Sequence, residues 1–203
     1  MRKVDAGLFE HGARRYNRYF NWYETRYGMG DTFLMDPEFG VPLVYGGGAR
    51  KAHLIALLDL KSHWAGGWAL GPSADHVLAL RAVDDLCDHL EALGRSLQDA
   101  IIHHDQDAVF TSHAWLRRLL LTEGARVSYT EHGCRENPWT ESFWGRLKTE
   151  IDAATRDAET MTELTALVAQ RMTYYNQRRR HSSLGQVAPW TFLCRALGRR
   201  EGS

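Results

Sequence analysis

The sequence predicts an α/β fold: one mixed sheet of five strands flanked by helices. Three observations carry it. Between Thr32 and Leu70, three apolar runs follow one another with only glycine-rich or turn-like breaks, the pattern of an antiparallel meander. From Asp75 onward, helix-like and strand-like segments alternate. Finally, 35 residues lie between Asp105 and Glu141, room for one helix and one strand, so a βαβ-type excursion returns the chain beside its start.

The elements follow in order. Residues 8–27 place Tyr16, Tyr19, Phe20, Tyr23 and Tyr27 on one stripe of an amphipathic helix, with Arg14, Arg15 and Arg18 among them. Packing of those aromatics on the domain outweighs a nucleic-acid arm as its reading. Gly28-Met29-Gly30 breaks the helix. Thr32–Asp36 reads as a strand ending in a carboxylate, and Val41–Tyr45 as a hairpin arm or a loop with a short strand. His53–Leu60 and Trp64–Leu70 are strands. Asp75–Leu93 is a helix with Val77, Leu80, Ala82, Val83, Leu86 and Leu90 inward, ended by Gly94. A strand at 100–104, a helix over Ser112–Thr122 and a strand at Arg126–Tyr129 come next. Asn137 is a preferred N-cap and Pro138 a preferred first helical residue, so a helix starts there. At about 100° per residue, its Phe143, Leu147 and Ile151 share one face, while Glu141, Gly145, Lys148 and Asp152 lie opposite. Another amphipathic helix spans 160–176 and leads into Arg178-Arg179-Arg180.

Composition limits the function classes. A 203-residue chain with 44% hydrophobic residues can bury one ordinary core with extensions. Cys87, Cys134 and Cys194 are odd in number and form no C-x-x-C pair, which argues against a zinc knuckle or disulfide framework and for a reducing, cytosolic setting. No segment reaches the roughly 18 apolar residues of a membrane span, and residues 1–12 lack the apolar run of a secretory signal. The formal net charge of zero hides an uneven distribution. Residues 1–27 hold six Lys/Arg against three Asp/Glu, and residues 171–203 hold seven against one, leaving the middle acidic. Basic ends around an acidic centre suit a metal site flanked by phosphate-contacting arms. His103 and His104 beside Asp105 could suggest a histidine–carboxylate metal site, but neighbouring strand residues point to opposite faces, so structural roles for the two imidazoles are expected.

Four pieces, in order, resemble the insertion-sequence transposases whose catalytic core is of the retroviral-integrase type, the DDE recombinases. They are Leu58-Asp59-Leu60-Lys61-Ser62 with Gly67-Trp68; His103-His104-Asp105 continuing to Phe110-Thr111-Ser112; Asn137 with Glu141-Ser142-Phe143 and Leu147-Lys148-Thr149-Glu150; and Tyr175-Asn176 with Arg178 to Gly185 and Pro189. The resemblance covers roughly residues 31–192. It implies an RNase H-like fold, with Asp36, Asp105 and Glu141 as the three acidic ligands of two Mg²⁺ (or Mn²⁺) ions that support phosphodiester cleavage. Lys148 and Arg178, Arg179 and Arg180 would contact DNA. Asp59 belongs to the second-strand motif and is not catalytic in the family.

The chain departs from the family pattern at Asp36-Pro37-Glu38, where a threonine usually follows the aspartate by two, and at Gln106-Asp107, where a basic residue and glycine are usual. Asp31 is a rival first ligand, but five residues along a strand put it on the opposite face from Asp36.

The resemblance implies DNA end cleavage and strand transfer, with element ends and target DNA as partners and a homo-oligomer assembled on them. The localisation it implies is the bacterial cytoplasm, at the nucleoid. The expected division is an N-terminal basic and aromatic extension (1–30), the catalytic core (31–158), and a C-terminal helix with a basic tail (159–203). Residues 1–30 are shorter than the helix-turn-helix module the family places ahead of the core, so the expectation is either a truncated or split frame or a separate DNA-recognition subunit that supplies end recognition. The alternative is a catalytically impaired relative acting by DNA or partner binding alone. A stand-alone nuclease on the same fold is a third reading.

Overall fold

The computed structural model describes residues 32–35, 41–104, 107–129 and 138–198. The expected helix over residues 8–27, Asp31, Asp36, Asp105 and Cys134 lie outside the described residues. The sheet contains β1 (Thr32–Met35), β2 (Val41–Tyr45), β3 (Arg50–Asp59), β4 (Ala65–Gly71), β5 (Ile101–His104) and β6 (Arg126–Tyr129). β3 pairs antiparallel with β1, β2 and β4, whereas β5 runs parallel to both β1 and β6. The sheet is therefore mixed, as expected.

It has six strand segments among the described residues rather than the five expected. The reason is local. β4 pairs with His53–Leu58 and so occupies one edge of β3. β2, opposite Arg50–Leu54, and β1, opposite Leu57–Asp59, must then share the other edge. Two segments line one rank of the sheet, and the residues between them include Pro37 and Gly40, poor ladder members.

Helices cover both faces because β3 alternates. Leu54, Ala56 and Leu58 enter one apolar cluster, and Ile55 and Leu57 enter the other. On the second face lies α1 (His76–Ala92), whose N-cap Asp75 accepts from Leu78 N–H at 2.9 Å. Its buried stripe is Leu78, Ala79, Ala82, Val83, Leu86 and Leu90. Val77, expected inward, is 54% exposed; the cap at Asp75 sets the helical phase so that Leu78 turns in instead. α1 approaches closely because β4 offers Gly66 and Gly67. A Cβ on Gly67 would stand 2.4 Å from the Ala82 carbonyl oxygen. α2 (His113–Arg117) continues into a π-helical turn at Arg118–Thr122, so the single helix expected there changes geometry halfway.

The first face carries α3 (Pro138–Asp157) and α4 (Met161–Gln177). Phe143, Leu147 and Ile151 are buried as the spacing requires, joined by Trp144, and they pack with Leu164, Val168, Met172 and Tyr175 of α4. Burial of each such side chain contributes about 1.5–3 kcal/mol. The β2–β3 turn fastens the far end of α3: Gly46 N–H donates to Ala158 O at 2.7 Å and Gly47 N–H to Arg156 O at 3.1 Å. Gly46, Gly47 and Gly48 all hold positive φ there, open to glycine at little cost.

After α4 the chain rounds the β4 edge and ends in α5 (Pro189–Ala196), a helix the sequence reading did not separate from the tail. Leu193 of α5 joins the α1-side cluster, and Trp190 meets Trp64 at 6.0 Å between ring centres. Cys87 and Cys194 are not joined in a disulfide. No helix among the described residues is long and apolar enough to cross a membrane.

Candidate functional site

β1 and β5 are neighbours, parallel and in register: Thr32 lies opposite Ile101, Phe33 opposite Ile102 and Leu34 opposite His103. The described strands end at Met35 and His104, one residue short of Asp36 and Asp105 in the sequence. The offset that relates the paired residues also relates the two aspartates. Glu141 belongs to the first turn of α3, which opens at Pro138; its side chain lies outside the described residues. Among the described residues, no group of three or more His, Cys, Asp or Glu side chains could hold a metal ion.

The two histidines ahead of Asp105 are structural, and they face opposite sides of the sheet. His104 Nε2 accepts from Trp115 Nε1–H at 3.1 Å, and its ring lies 4.6 Å from Phe110. The His103 ring shares a hydrogen bond between Nδ1 and Ser128 Oγ at 3.0 Å. Burial, followed by neighbouring His104, pulls the His103 pKa down to about 3, so its imidazole stays neutral near pH 7.

Other motif residues shape the backbone. Asp59, 1% exposed, accepts from Ser62 N–H at 2.8 Å and from Ser62 Oγ–H at 2.5 Å, closing the β3–β4 turn. His63 then takes a left-handed φ of 59°. Asn176 accepts from Ala65 N–H and donates to Ala65 O, both at 2.9 Å. Sequence reasoning marked these residues without seeing these roles.

The basic residues divide. Arg179 does not stand free: with Arg171 it holds Glu150 of α3 between two guanidinium groups. Lys148 is half-buried on α3, and Arg178 and Arg180 are exposed where α4 gives way to the His181–Val187 loop. Arg146, which the sequence reading did not single out, is exposed on α3 and lines a cavity of about 480 Å³ together with Asp59, His63, Ser142, Arg180 and His181. The only sequence signal for it was its place one turn beyond Ser142.

Residues 123–189 match the family described as the integrase core domain. A probable transposase for insertion sequence element IS1353 of Shigella flexneri is 31% identical over 145 residues, 70% of this chain and 27% of that protein. A 31 kDa protein of insertion element IS600 from Shigella sonnei is 31% identical over 94 residues, 45% of this chain and 34% of that protein. The chain thus spans about a third or less of the length of these relatives. The HTLV-2 integrase catalytic core domain, solved in complex with magnesium in a dimeric form, superposes with a TM-score of 0.59 at 14% identity, covering 82% of this chain and 97% of that one. The fold is thus that of the retroviral integrase catalytic cores, RNase H-like.

Proposed function

Because the chain belongs to the integrase-like family of insertion-sequence transposase catalytic cores, we propose that it is a DDE-type polynucleotidyl transferase that cleaves DNA at element ends and joins them to target DNA. The observation that carries this reading is the in-register parallel pairing of β1 and β5, the strands that lead to Asp36 and Asp105. Two neighbouring strands that each lead to a carboxylate favour a shared cation, and Glu141 in the first turn of α3 supplies a third hard oxygen donor. All-carboxylate donors suit Mg²⁺ or Mn²⁺ over zinc. The neighbouring imidazoles support the same choice, since both ring systems are committed inside the fold.

In this reading Asp36, Asp105 and Glu141 hold the metal. When bound, a pair of divalent ions supplies Lewis-acid stabilisation of the scissile phosphodiester and an activated water or 3′-hydroxyl nucleophile. Lys148 and the exposed Arg178 and Arg180 neutralise backbone phosphates and hold the strand. Arg179 stays with Glu150 and positions the segment that carries its neighbours. Bringing two element ends together calls for a multimer on DNA, with end recognition supplied by a further module or subunit.

The test is divalent-ion binding by calorimetry together with Mn²⁺-dependent plasmid nicking. Asp36→Asn, Asp105→Asn and Glu141→Gln should each weaken ion binding about tenfold or more and abolish nicking while leaving the circular dichroism spectrum native. Ion binding equal to the native chain in all three variants would overturn the assignment.

A further inference from the structure

A second cavity, of about 350 Å³, adjoins the 480 Å³ one, and Arg180 and Gln186 line both. The second holds Arg178, Arg180 and Arg195 and no carboxylate among its described lining residues. The first holds Arg146 and Arg180 with the imidazoles of His63 and His181. We propose that the two cavities form a track in which successive phosphates of one DNA strand sit on either side of Arg180. The proposal rests on the DNA-processing reading above and adds to it two seats and the residues that make them.

Three features of the first seat support an anion. His181 Nε2 is buried and has no hydrogen-bond partner among the described residues. The ring is fixed by edge-on contacts with His63 at 5.6 Å and Tyr175 at 5.2 Å, so the imidazole that lines the cavity is pre-oriented. The carboxylate of Asp59, whose Oδ2 accepts from Ser62 N–H and Oγ–H, lines the same cavity but is outnumbered there by the guanidinium groups of Arg146 and Arg180. The second seat is lined by three arginines with no carboxylate among its described lining residues, a composition that favours a phosphodiester over a neutral or cationic group.

The track also has a direction. Ser142, next in sequence to Glu141, lines the first cavity, so a strand lying across Arg180 reaches the first turn of α3. The seats would thereby deliver the backbone toward the acidic trio, a positioning role apart from the reaction.

The experiment measures binding of a labelled 30-base-pair duplex to the full chain by fluorescence anisotropy, without divalent ion, across a salt series. Each phosphate contact contributes about 0.9 to the slope of log affinity against log salt. Arg146→Gln, Arg180→Gln and Arg195→Gln should each lower the slope by about 0.9. Arg156→Gln, an exposed arginine paired with Asp152 away from the track, is the charge-matched control and should keep the native slope. Imidazole NMR of the native chain gives a second readout: saturating duplex should raise the His181 pKa from its depressed value near 4. Native-like slopes in all three track variants, or a His181 pKa unmoved by DNA, would overturn the track. If the native chain itself fails to bind the duplex, the DNA-processing reading falls with it, so the two failures are distinct.

Discussion

Asn176 holds Ala65 by both sides of its amide, accepting from the backbone N–H and donating to the backbone carbonyl, each at 2.9 Å. The two residues are 111 positions apart, one at the end of α4 and the other at the start of the edge strand β4. The side chain imitates a neighbouring strand where β4 has none, blunts that edge, and ties the C-terminal helices to the sheet. Asn176→Ala would leave both backbone groups without these partners. A loss of about 1–3 kcal/mol is expected, measured by urea unfolding. Asn176→Asp should cost at least as much, because it keeps the acceptor but sets a negative charge against the Ala65 carbonyl. Unchanged midpoints in both variants would exclude this role.

Two glycines should respond in opposite directions. At Gly67 a methyl group would stand 2.4 Å from Ala82 O and 2.5 Å from Leu86 Cβ, both on the rigid buried face of α1. Gly67→Ala must push α1 off the sheet, at a cost of about 1–3 kcal/mol or more. At Gly145, within α3, nothing lies within 4 Å of the added methyl, so Gly145→Ala should stabilise by about 0.5–1 kcal/mol through helix propensity. Thermal melts of the pair decide the matter, and destabilisation by Gly145→Ala would refute the packing argument for α3.

The contrast between those glycines marks where sequence reading succeeds and where it stops. The β3 core was legible as an apolar run, and the Phe143, Leu147 and Ile151 stripe as a 3.6-residue period, because both patterns repeat along the chain. The start of β3 at Arg50 was not, since Arg50 and Lys51 are exposed and charged and pair only with β2 across a hairpin. α5 carried a usable signal in Pro189 as its first residue with Leu193 a turn later, but it followed a basic loop that looked like a tail. Asp59, Ser62 and Asn176 stood out as motif residues, yet their work is side chain to backbone bonding, which leaves no period to read. The seats around Arg180 were hidden for a different reason: Arg146 and His181 meet only because α3 and the segment after α4 pack on the same sheet face.

Glu150 is the electrostatic fastening between those two segments. Arg171 of α4 and Arg179 just past its end both reach its carboxylate, and the Arg171 guanidinium also lies 4.4 Å over the Tyr174 ring. Glu150→Ala removes the shared partner and leaves two neighbouring cations uncompensated. It should therefore cost more than Arg171→Ala or Arg179→Ala, about 1 kcal/mol after discounting for partial solvent screening. The gap should shrink in 1 M salt, where the Debye length is about 3 Å. Equal urea midpoints for Glu150→Ala and the native chain at low salt would show that packing alone seats α4.

Acid should begin to weaken the fold as pH falls below the ordinary histidine range. His103 is buried, and burial, followed by neighbouring His104, holds its pKa down at about 3. The His181 pKa lies at about 4, lowered first by burial and then by His63, Arg179 and Arg146. Burial lowers the His63 pKa as well. An unfolded histidine titrates near 6.5, with each pKa unit worth about 1.4 kcal/mol. Above that pH both states are neutral at these sites and stability is complete. As pH falls from about 6.5 toward the folded-state values, the unfolded chain takes up protons the folded chain refuses, so stability declines. His103 alone should contribute a slope of about 1.4 kcal/mol per pH unit, and the more accessible His181 adds a smaller amount in the same direction. Urea unfolding at pH 7, 6 and 5 should give falling stabilities, and His103→Asn should flatten the fall. Stability that stays level or rises from pH 7 to pH 5 would mean that His103 takes up a proton without leaving the fold.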